Sequence, residues 1–494
     1  MSRLIVRVVL ASFSLLSTAR ITAQEPVAPP AFATAPTLTL EECIARAMEK
    51  NFQLRVESFS TDIARESLNV ANAAFEPTFT ASLQRFHSET APAAGGRRSD
   101  TTDARVGVDQ FLPTGALVSV SASVDRSAGN FSAYAFNPAY NSDVALIVTQ
   151  PLLRGAGTAY NRSFIERSRL GVDIARLNFK SSVLQVVRDT EAAYYNLVFA
   201  REQLAVKRHS LRLAERLYEE NKTRRITGVA TDLDVLSAEV GIATANNGVL
   251  IAEQSVRNSE DALIALIGQF EFDRELGTVA LLPYQEPSPS FDLSYKLARE
   301  NQPDYLAAQT AIQQLELDAA NAKNASRPTL NLGGSVGYNG VDRSYRGAID
   351  NVPNGDAHQW GVDLTLSVPW GLHADRARHR SALASLRQQE ARLQAIDQAL
   401  LVQVRSAVRA VDTNRQSVEI NRKATDLATR QYELELARFK AGLSTSRQVL
   451  EVQDDLETAR VNQLLAQVNL RIALANLHQV ESSSLQKYRI DVAD

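Results

Sequence analysis

Leu40-Glu41-Glu42-Cys43-Ile44-Ala45-Arg46-Ala47-Met48-Glu49-Lys50-Asn51 and Phe291-Asp292-Leu293-Ser294-Tyr295-Lys296-Leu297-Ala298-Arg299-Glu300-Asn301 open two copies of one plan. Each reads as a short helix running into an asparagine. A second helix, rich in Ala and Asn, follows and stops before a proline, Pro77 in the first copy and Pro328 in the second. A plan repeated within one chain fixes the fold, because each copy is one structural unit that packs on the other.

A strand pattern begins at each proline. Phe79, Ala81 and Leu83 alternate with Thr78, Thr80, Ser82 and Gln84; Leu330, Leu332 and Val336 alternate with Thr329, Asn331 and Ser335. Return strands end alike, Val144, Leu146 and Val148 at Gln150-Pro151, and Trp360, Val362, Leu364, Leu366 and Val368 at Pro369. Period-two alternation marks strands with one apolar and one polar face. Runs of roughly nine to eleven residues span a bilayer when tilted. A soluble sandwich alternates too, but here the hairpins stand between very long helical tracts and their polar faces are rich in Ser and Thr. The first copy carries an extra hairpin, about 104–126, in which Val106 to Phe111 turn through Leu112-Pro113-Thr114-Gly115 into Val118, Val120, Ala122 and Val124. The pattern leaves open whether that pair joins a barrel.

The tract from about Tyr160 to Lys222 lacks proline, and Leu197, Leu204, Leu211 and Tyr218 recur every seven residues, as do Leu170, Leu177 and Leu184. From about Asp375 to Phe439, Leu386, Leu393 and Leu400 keep the same interval. This spacing predicts left-handed, coiled-coil-like packing. At 1.5 Å per residue some 60 residues give a helix about 90 Å long. Both tracts stop at matching turns, Arg225-Ile226-Thr227-Gly228-Val229-Ala230-Thr231 and Phe439-Lys440-Ala441-Gly442-Leu443-Ser444-Thr445. Gly228 and Gly442 suit the left-handed position past a helix end, and Thr231 and Thr445 suit the N-cap of a returning helix.

The ordered, duplicated set resembles the TolC family of outer-membrane channels across nearly the whole mature chain. Gln150-Pro151-Leu152-Leu153-Arg154-Gly155 is similar to the family's approach to its first long helix, and Lys440-Ala441-Gly442-Leu443-Ser444-Thr445 to its tunnel-tip turn. The fold class so implied is mixed: a trimer whose strands form a membrane β-barrel and whose helices form a periplasmic tunnel. The strands alone require several copies, since the smallest barrels need about eight, this chain offers four to six, and an open edge is not tolerated in lipid. The family supplies the number three, giving twelve strands, or eighteen if the extra hairpin joins.

The N-terminus fits export. Arg3 and Arg7 flank the apolar stretch Val8 to Leu16, and small residues lead to Ile21-Thr22-Ala23. This is the layout of a secretory signal, with cleavage expected near Ala23. The domain plan is therefore a signal at 1–23, a Pro/Ala-rich linker at 24–37, a first repeat at 38–282 (strands about 77–151, helical hairpin about 160–267), a second at 283–480 (strands about 328–369, helical hairpin about 375–478), and a flexible tail at 481–494. After the signal no uninterrupted apolar run approaches the ~18 residues of a membrane helix. The net charge of −3 points to no nucleic acid, and the single cysteine, Cys43, leaves no disulfide within the chain.

The resemblance implies a homotrimer in outer-membrane lipid that meets a periplasmic adaptor (a membrane fusion protein) and an inner-membrane efflux pump or ABC exporter. It places adaptor contact at the tip turns, on Gly228, Val229, Thr231, Gly442, Leu443 and Thr445. Acidic residues past those turns narrow the tunnel in the family; the matching positions are Asp234, Gln448 and Glu451, and Gln448 departs from the acid often found there. No catalytic constellation, cofactor motif or metal set emerges. His373 and His379 do not share a helix face as an i, i+4 pair, and Gly155-Ala156-Gly157 reads as a flexible approach to the helix. Trp360, Trp370, Tyr134 and Tyr140 are candidate interfacial aromatics. The competing readings are an exported adhesive coiled-coil protein and a periplasmic enzyme; the first explains the heptads but not the duplicated hairpins, and the second lacks a convergent polar pocket.

Overall fold

The structure, a computed structural model, describes residues 38–130, 135–268, 276–277, 279–280, 289–354, 357–368 and 370–491. The expected signal and linker, the boundary between repeats near 282, Tyr134 and Pro369 lie outside the described residues.

In the first repeat α1 (Leu40–Lys50) starts on a capping box in which Thr39 and Glu42 satisfy each other's backbone N–H groups. Asn51 then caps α2 (Phe52–Ala73), accepting from the Gln53 and Leu54 amides. The strands β1 (Thr78–Glu89), β2 (Arg98–Phe111), β3 (Leu117–Gly129) and β4 (Ala139–Pro151) follow. A short α3 (Thr158–Asn161) leads into the 64-residue α4 (Ser163–Ile226), and α5 (Asp232–Leu266) returns. The second repeat reads α6 (Phe291–Asn301), α7 (Pro303–Ala325), β5 (Thr329–Asp342), the short α8 (Tyr345–Asn351), β6 (His358–Ser367), the 68-residue α9 (His373–Lys440) and α10 (Ser446–Glu481). Here α6 runs into Asn301 as expected, and Gln302, one residue further on, caps α7 by accepting from the Asp304 and Tyr305 amides. Pro303 takes the first helical position, where its missing N–H costs nothing.

Five of the strands exceed the nine to eleven residues expected, reaching 14 in β2 and β5, while β6 keeps to ten. All six lie in one antiparallel sheet in the order β1-β2-β3-β4-β5-β6. The extra hairpin is therefore a full member, as β2 and β3, and β4 joins the two repeats by pairing with β5.

At 1.5 Å per residue α4 and α9 run about 96 and 102 Å. Toward the sheet α4 packs between α2 and α7, and toward the far end beside α5 and α10; α9 packs on α7 and α10. The core is three clusters strung along this length. One joins α1, α4 and the end of α5 around Val183, Val187, Leu197 and Leu263. Another joins α6, α9 and α10 around Leu400, Val404, Val411 and Leu474. The tip cluster is Leu217, Phe439 and Val449.

The outer helices carry exposed apolar stripes. On α9, Ile420, Leu427 and Leu434 are all about two-thirds exposed at seven-residue spacing. On α5, Leu233, Leu236, Val240 and Leu250 are exposed and fall on one 3-4 heptad seam. By length and composition α5 is also apolar enough to cross a membrane, which the search for uninterrupted apolar runs did not reveal. Its position along α4 accounts for that character as an unpartnered helix seam.

The tail expected to be flexible from 481 folds back instead. Ser482 turns with positive φ, α11 (Ser484–Lys487) follows, and Leu485 joins the core around α1 and α4. The Tyr488 hydroxyl donates to Glu191 on α4, and burial with this carboxylate drives the phenol's pKa upward. Cys43 packs fully buried in the same cluster, with its thiol pushed up to about 12 by desolvation. The segment at Gly155–Gly157 is a locked turn rather than a flexible approach. Gly155 and Gly157 both have positive φ, Asn324 accepts from the Gly155 amide, and the Asn161 amide group donates to both glycine carbonyls.

The candidate pore and its periplasmic tip

Cross-strand partners face the same way, so the register sorts every strand residue onto one of two faces. One face is apolar: Phe79, Val108, Val120, Leu146, Val336 and Trp360 form a single row across the sheet. Next to it lie Ala81, Val106, Ala122, Val144 and Tyr338, then Leu83, Ala104 and Val124. In the row after that, Arg85, Thr102 and Arg126 end the apolar band. Trp360 is exposed on this face, Trp370 is exposed in the turn before α9, and Tyr140 packs edge-on against Tyr345. α8 lies over the same face near its far rim, so closely that a Cβ at Gly340 would sit 2.2 Å from the Ala348 carbonyl.

The other face is polar. Its rows carry Thr78, Asp109, Ser119 and Ser335; Thr80, Ser121 and Gln359; Ser82, Arg105, Ser123, Asp143 and Asn339; and Gln84, Asp103, Asp125 and Asn141. On β2 the polar-face residues Asp103, Gly107 and Asp109 are partly covered, while Ala104, Val106 and Val108 on the apolar face are exposed. Asp103, Asp109, Asp125, Asp143 and Asp363 oppose only Arg105 there. Sequence reading noted the Ser and Thr of this face and passed over Asp103, Asp109, Asp125 and Asp143. They stand in phase with those hydroxyl residues, and that phase was the available signal.

The inserted hairpin is anchored at its turn. Gly115 has φ +94°, and a Cβ on it would lie 2.4 Å from the Gly155 carbonyl oxygen and 2.7 Å from the Asn161 side-chain nitrogen. The Thr114 carbonyl accepts from the Gly157 amide at 3.1 Å and from the Gln150 side chain at 3.2 Å. Phe111 stacks on Phe75 at the end of α2, which in turn meets Phe164 of α4. The turn thus locks the sheet to the start of the helical body.

At the opposite end the two tip turns superimpose in their bonding. Gly228 and Gly442 have φ of +76° and +78°. The Val229 amide donates to the Arg224 carbonyl at 2.9 Å, and the Leu443 amide to the Arg438 carbonyl at 2.9 Å, the six-to-one bond of a Schellman end. Each returning helix opens on a capping box, Thr231 with Asp234 and Thr445 with Gln448. Asp234 accepts from the Thr231 amide at 2.9 Å and its hydroxyl at 2.7 Å, and from Ser446 of the other turn at 3.4 Å. These Thr231 bonds, more than any other influence, hold its carboxyl below the usual carboxylate range. Gln448 accepts from Thr445 and Ser444 in the matching place. The departure to glutamine is now intelligible, since this position asks for a side-chain oxygen acceptor and not for a charge. Arg224 reaches across the tip to the Phe439 carbonyl at 3.0 Å and covers its ring.

Of the three expected constriction residues, two are therefore occupied in caps. Glu451 is exposed on α10, and Asp454 and Asp455, which sequence reading passed over, are exposed one turn beyond it. Val229 and Leu443 are 68% and 72% exposed at the extreme tip.

A two-faced antiparallel sheet continued by a helical body of this length defines an outer-membrane channel with a periplasmic tunnel. The chain belongs to the outer membrane efflux protein family, whose family model matches residues 93–269 and 294–480. It is 24% identical over 331 residues to the pyoverdine export outer membrane protein OpmQ of Pseudomonas putida, a match covering 65% of this chain and 68% of that relative. Its fold is similar to the Campylobacter jejuni CmeC outer membrane channel, with a TM-score of 0.69, 16% identity and coverage of 92% and 90%. It is also similar to the open state of the Neisseria gonorrhoeae MtrE channel, with a TM-score of 0.63, 19% identity and coverage of 90% and 88%. The protein is an efflux channel of the outer membrane.

Proposed function

We propose that three copies assemble into a passive exit duct, the outer part of a tripartite efflux or type I secretion machine. The observation that carries this reading is the pairing of unsatisfied edges at both levels of one protomer. β1 and β6 leave open strand edges, which lipid does not tolerate. α5 and α9 leave heptad stripes exposed, which a neighbouring copy covers.

The tip turns then present Gly228, Val229, Thr231, Gly442, Leu443 and Thr445 to a periplasmic adaptor, with Val229 and Leu443 as the apolar contacts. The adaptor in turn links the duct to an inner-membrane efflux pump or ABC exporter, which selects the cargo. Within the tunnel Glu451 forms the acidic ring, seconded by Asp454 and Asp455, while Asp234 and Gln448 narrow the same level through the capped turns they hold. Carboxylates from three copies at one level attract cations and repel one another.

Planar-bilayer recording on detergent-purified protein, after its mass is measured, tests the reading. Discrete cation-preferring currents from trimers are expected. A soluble monomer that never inserts in lipid would overturn it.

A further inference from the structure

Resting on that trimer, we infer that the barrel has eighteen strands, closed by β6 of one copy pairing antiparallel with β1 of the next. Its lumen is half again as wide as twelve strands would give.

The stagger of the sheet supplies the argument. Followed straight across the strands, the row that starts at Thr78 in β1 passes through Asp109, Ser119, Ile147 and Ser335 and arrives at Gly361 in β6. The paired part of β6 continues to Ser367, six residues nearer the helical body. Counting the step from β6 to the next copy's β1, the sheet descends six residues over six inter-strand steps. With rises of about 3.3 Å per residue and strands about 4.8 Å apart, that slope is a tilt of about 35°, within the range for closed barrels.

Bringing the next copy's Thr78 level with Ser367 closes this stagger, and the parity is correct. Thr78, Thr80, Ser82 and Gln84 then meet Ser367, Thr365, Asp363 and Gly361, all polar-face positions. On the other side Phe79, Ala81 and Leu83 meet Leu366, Leu364 and Val362, continuing the apolar band across the junction. Phe79, Leu83, Val362, Leu364 and Leu366 are each 62–79% exposed in the single copy, as edge residues awaiting lipid and a neighbour would be. An odd stagger would have put polar against apolar. The inserted hairpin belongs to this wall because its turn is locked by Gly115, Gly157 and Asn161 and both its strands pair along their length.

At the same tilt and spacing, eighteen strands give a backbone diameter of about 34 Å, and twelve about 23 Å. The insert also supplies Asp103, Asp109 and Asp125 to the lumen, so the wider section is acidic.

The test pairs Thr80→Cys with Thr365→Cys and oxidises the trimer in lipid nanodiscs with copper phenanthroline. A covalent trimer on denaturing gels is expected from the double variant and from neither single one; Cys43 is fully buried and does not compete. Cross-linking of Thr365→Cys to Ser121→Cys on β3 instead would overturn the inference, because β3 becomes the edge only if β1 and β2 leave the wall. Electron microscopy of the unmodified trimer reads the diameter directly, and about 23 Å would overturn it whatever the variants do. Either result leaves the channel reading standing, whereas a monomer would sink that reading as well.

Discussion

The two repeats of one protomer agree almost bond for bond at the periplasmic tip and disagree at the membrane. At the tip, both halves end a long helix on a left-handed glycine and open the next on a threonine box, with matching amide-to-carbonyl distances of 2.9 Å. At the membrane, the first repeat contributes four strands and the second two. Helices packed along heptad seams must keep their length and phase to cover each other, so the helical halves resist change. An antiparallel sheet accepts an added hairpin without reversing any later strand, because the chain leaves in the direction it arrived. The difference teaches where this architecture is free to vary.

The largest expected effect comes from the insert's anchor. Gly115→Val drives a side chain into the Gly155 carbonyl with φ held at +94°, and should cost about 2–4 kcal/mol. Gly371→Ala, just before α9, meets only the movable His373 ring and should cost about 1 kcal/mol. Thermal dissociation of the trimer in detergent compares the two, and equal losses would show that the insert is not locked to the helical body.

Next come the caps. Thr231→Ala and Thr445→Ala should each destabilise their tip by about 1 kcal/mol, read as faster amide exchange in the first turns of α5 and α10. A loss confined to one repeat would break the symmetry of the tips.

A smaller effect separates the acids. Glu451→Gln should lower cation preference in bilayer recordings more than Asp234→Asn, because Asp234 is committed to its cap; the reverse order would reassign the constriction. The smallest effect is on pH. Asp234 has its pKa lowered in the folded tip, so its contribution is present above the unfolded value of about 3.9. It is lost as pH falls through the lower folded value. Exchange at the first tip should therefore accelerate in acid before exchange at the second, where Gln448 does not titrate.

Much of this was legible from sequence because it is periodic or local. Alternation located all six strands, seven-residue spacing located α4 and α9, and Gly228, Gly442, Thr231 and Thr445 marked the turns with the roles they hold. The unread parts depend on contacts distant in the chain. Membership of β2 and β3 in the wall rests on the Thr114 carbonyl meeting Gly157 and on β4 meeting β5, and no local pattern encodes either. The folded tail needed Leu485 and Tyr488 to find α4 across some 300 residues, which composition cannot show. Asp234 and Gln448 were assigned to the constriction by likeness, whereas their capping bonds follow from the spacing of Thr231 and Thr445 three residues before them.

The insertion has a consequence for what sizes such a duct can take. Both ends of the sheet must join helices on one side of the membrane, so strands enter a copy only in pairs, and threefold symmetry multiplies each pair by three. Bore diameter is then a ladder with rungs six strands apart: twelve, eighteen, twenty-four. A lineage seeking a slightly larger exit has no intermediate rung, and must either jump a whole step or reshape the side chains that fill the bore.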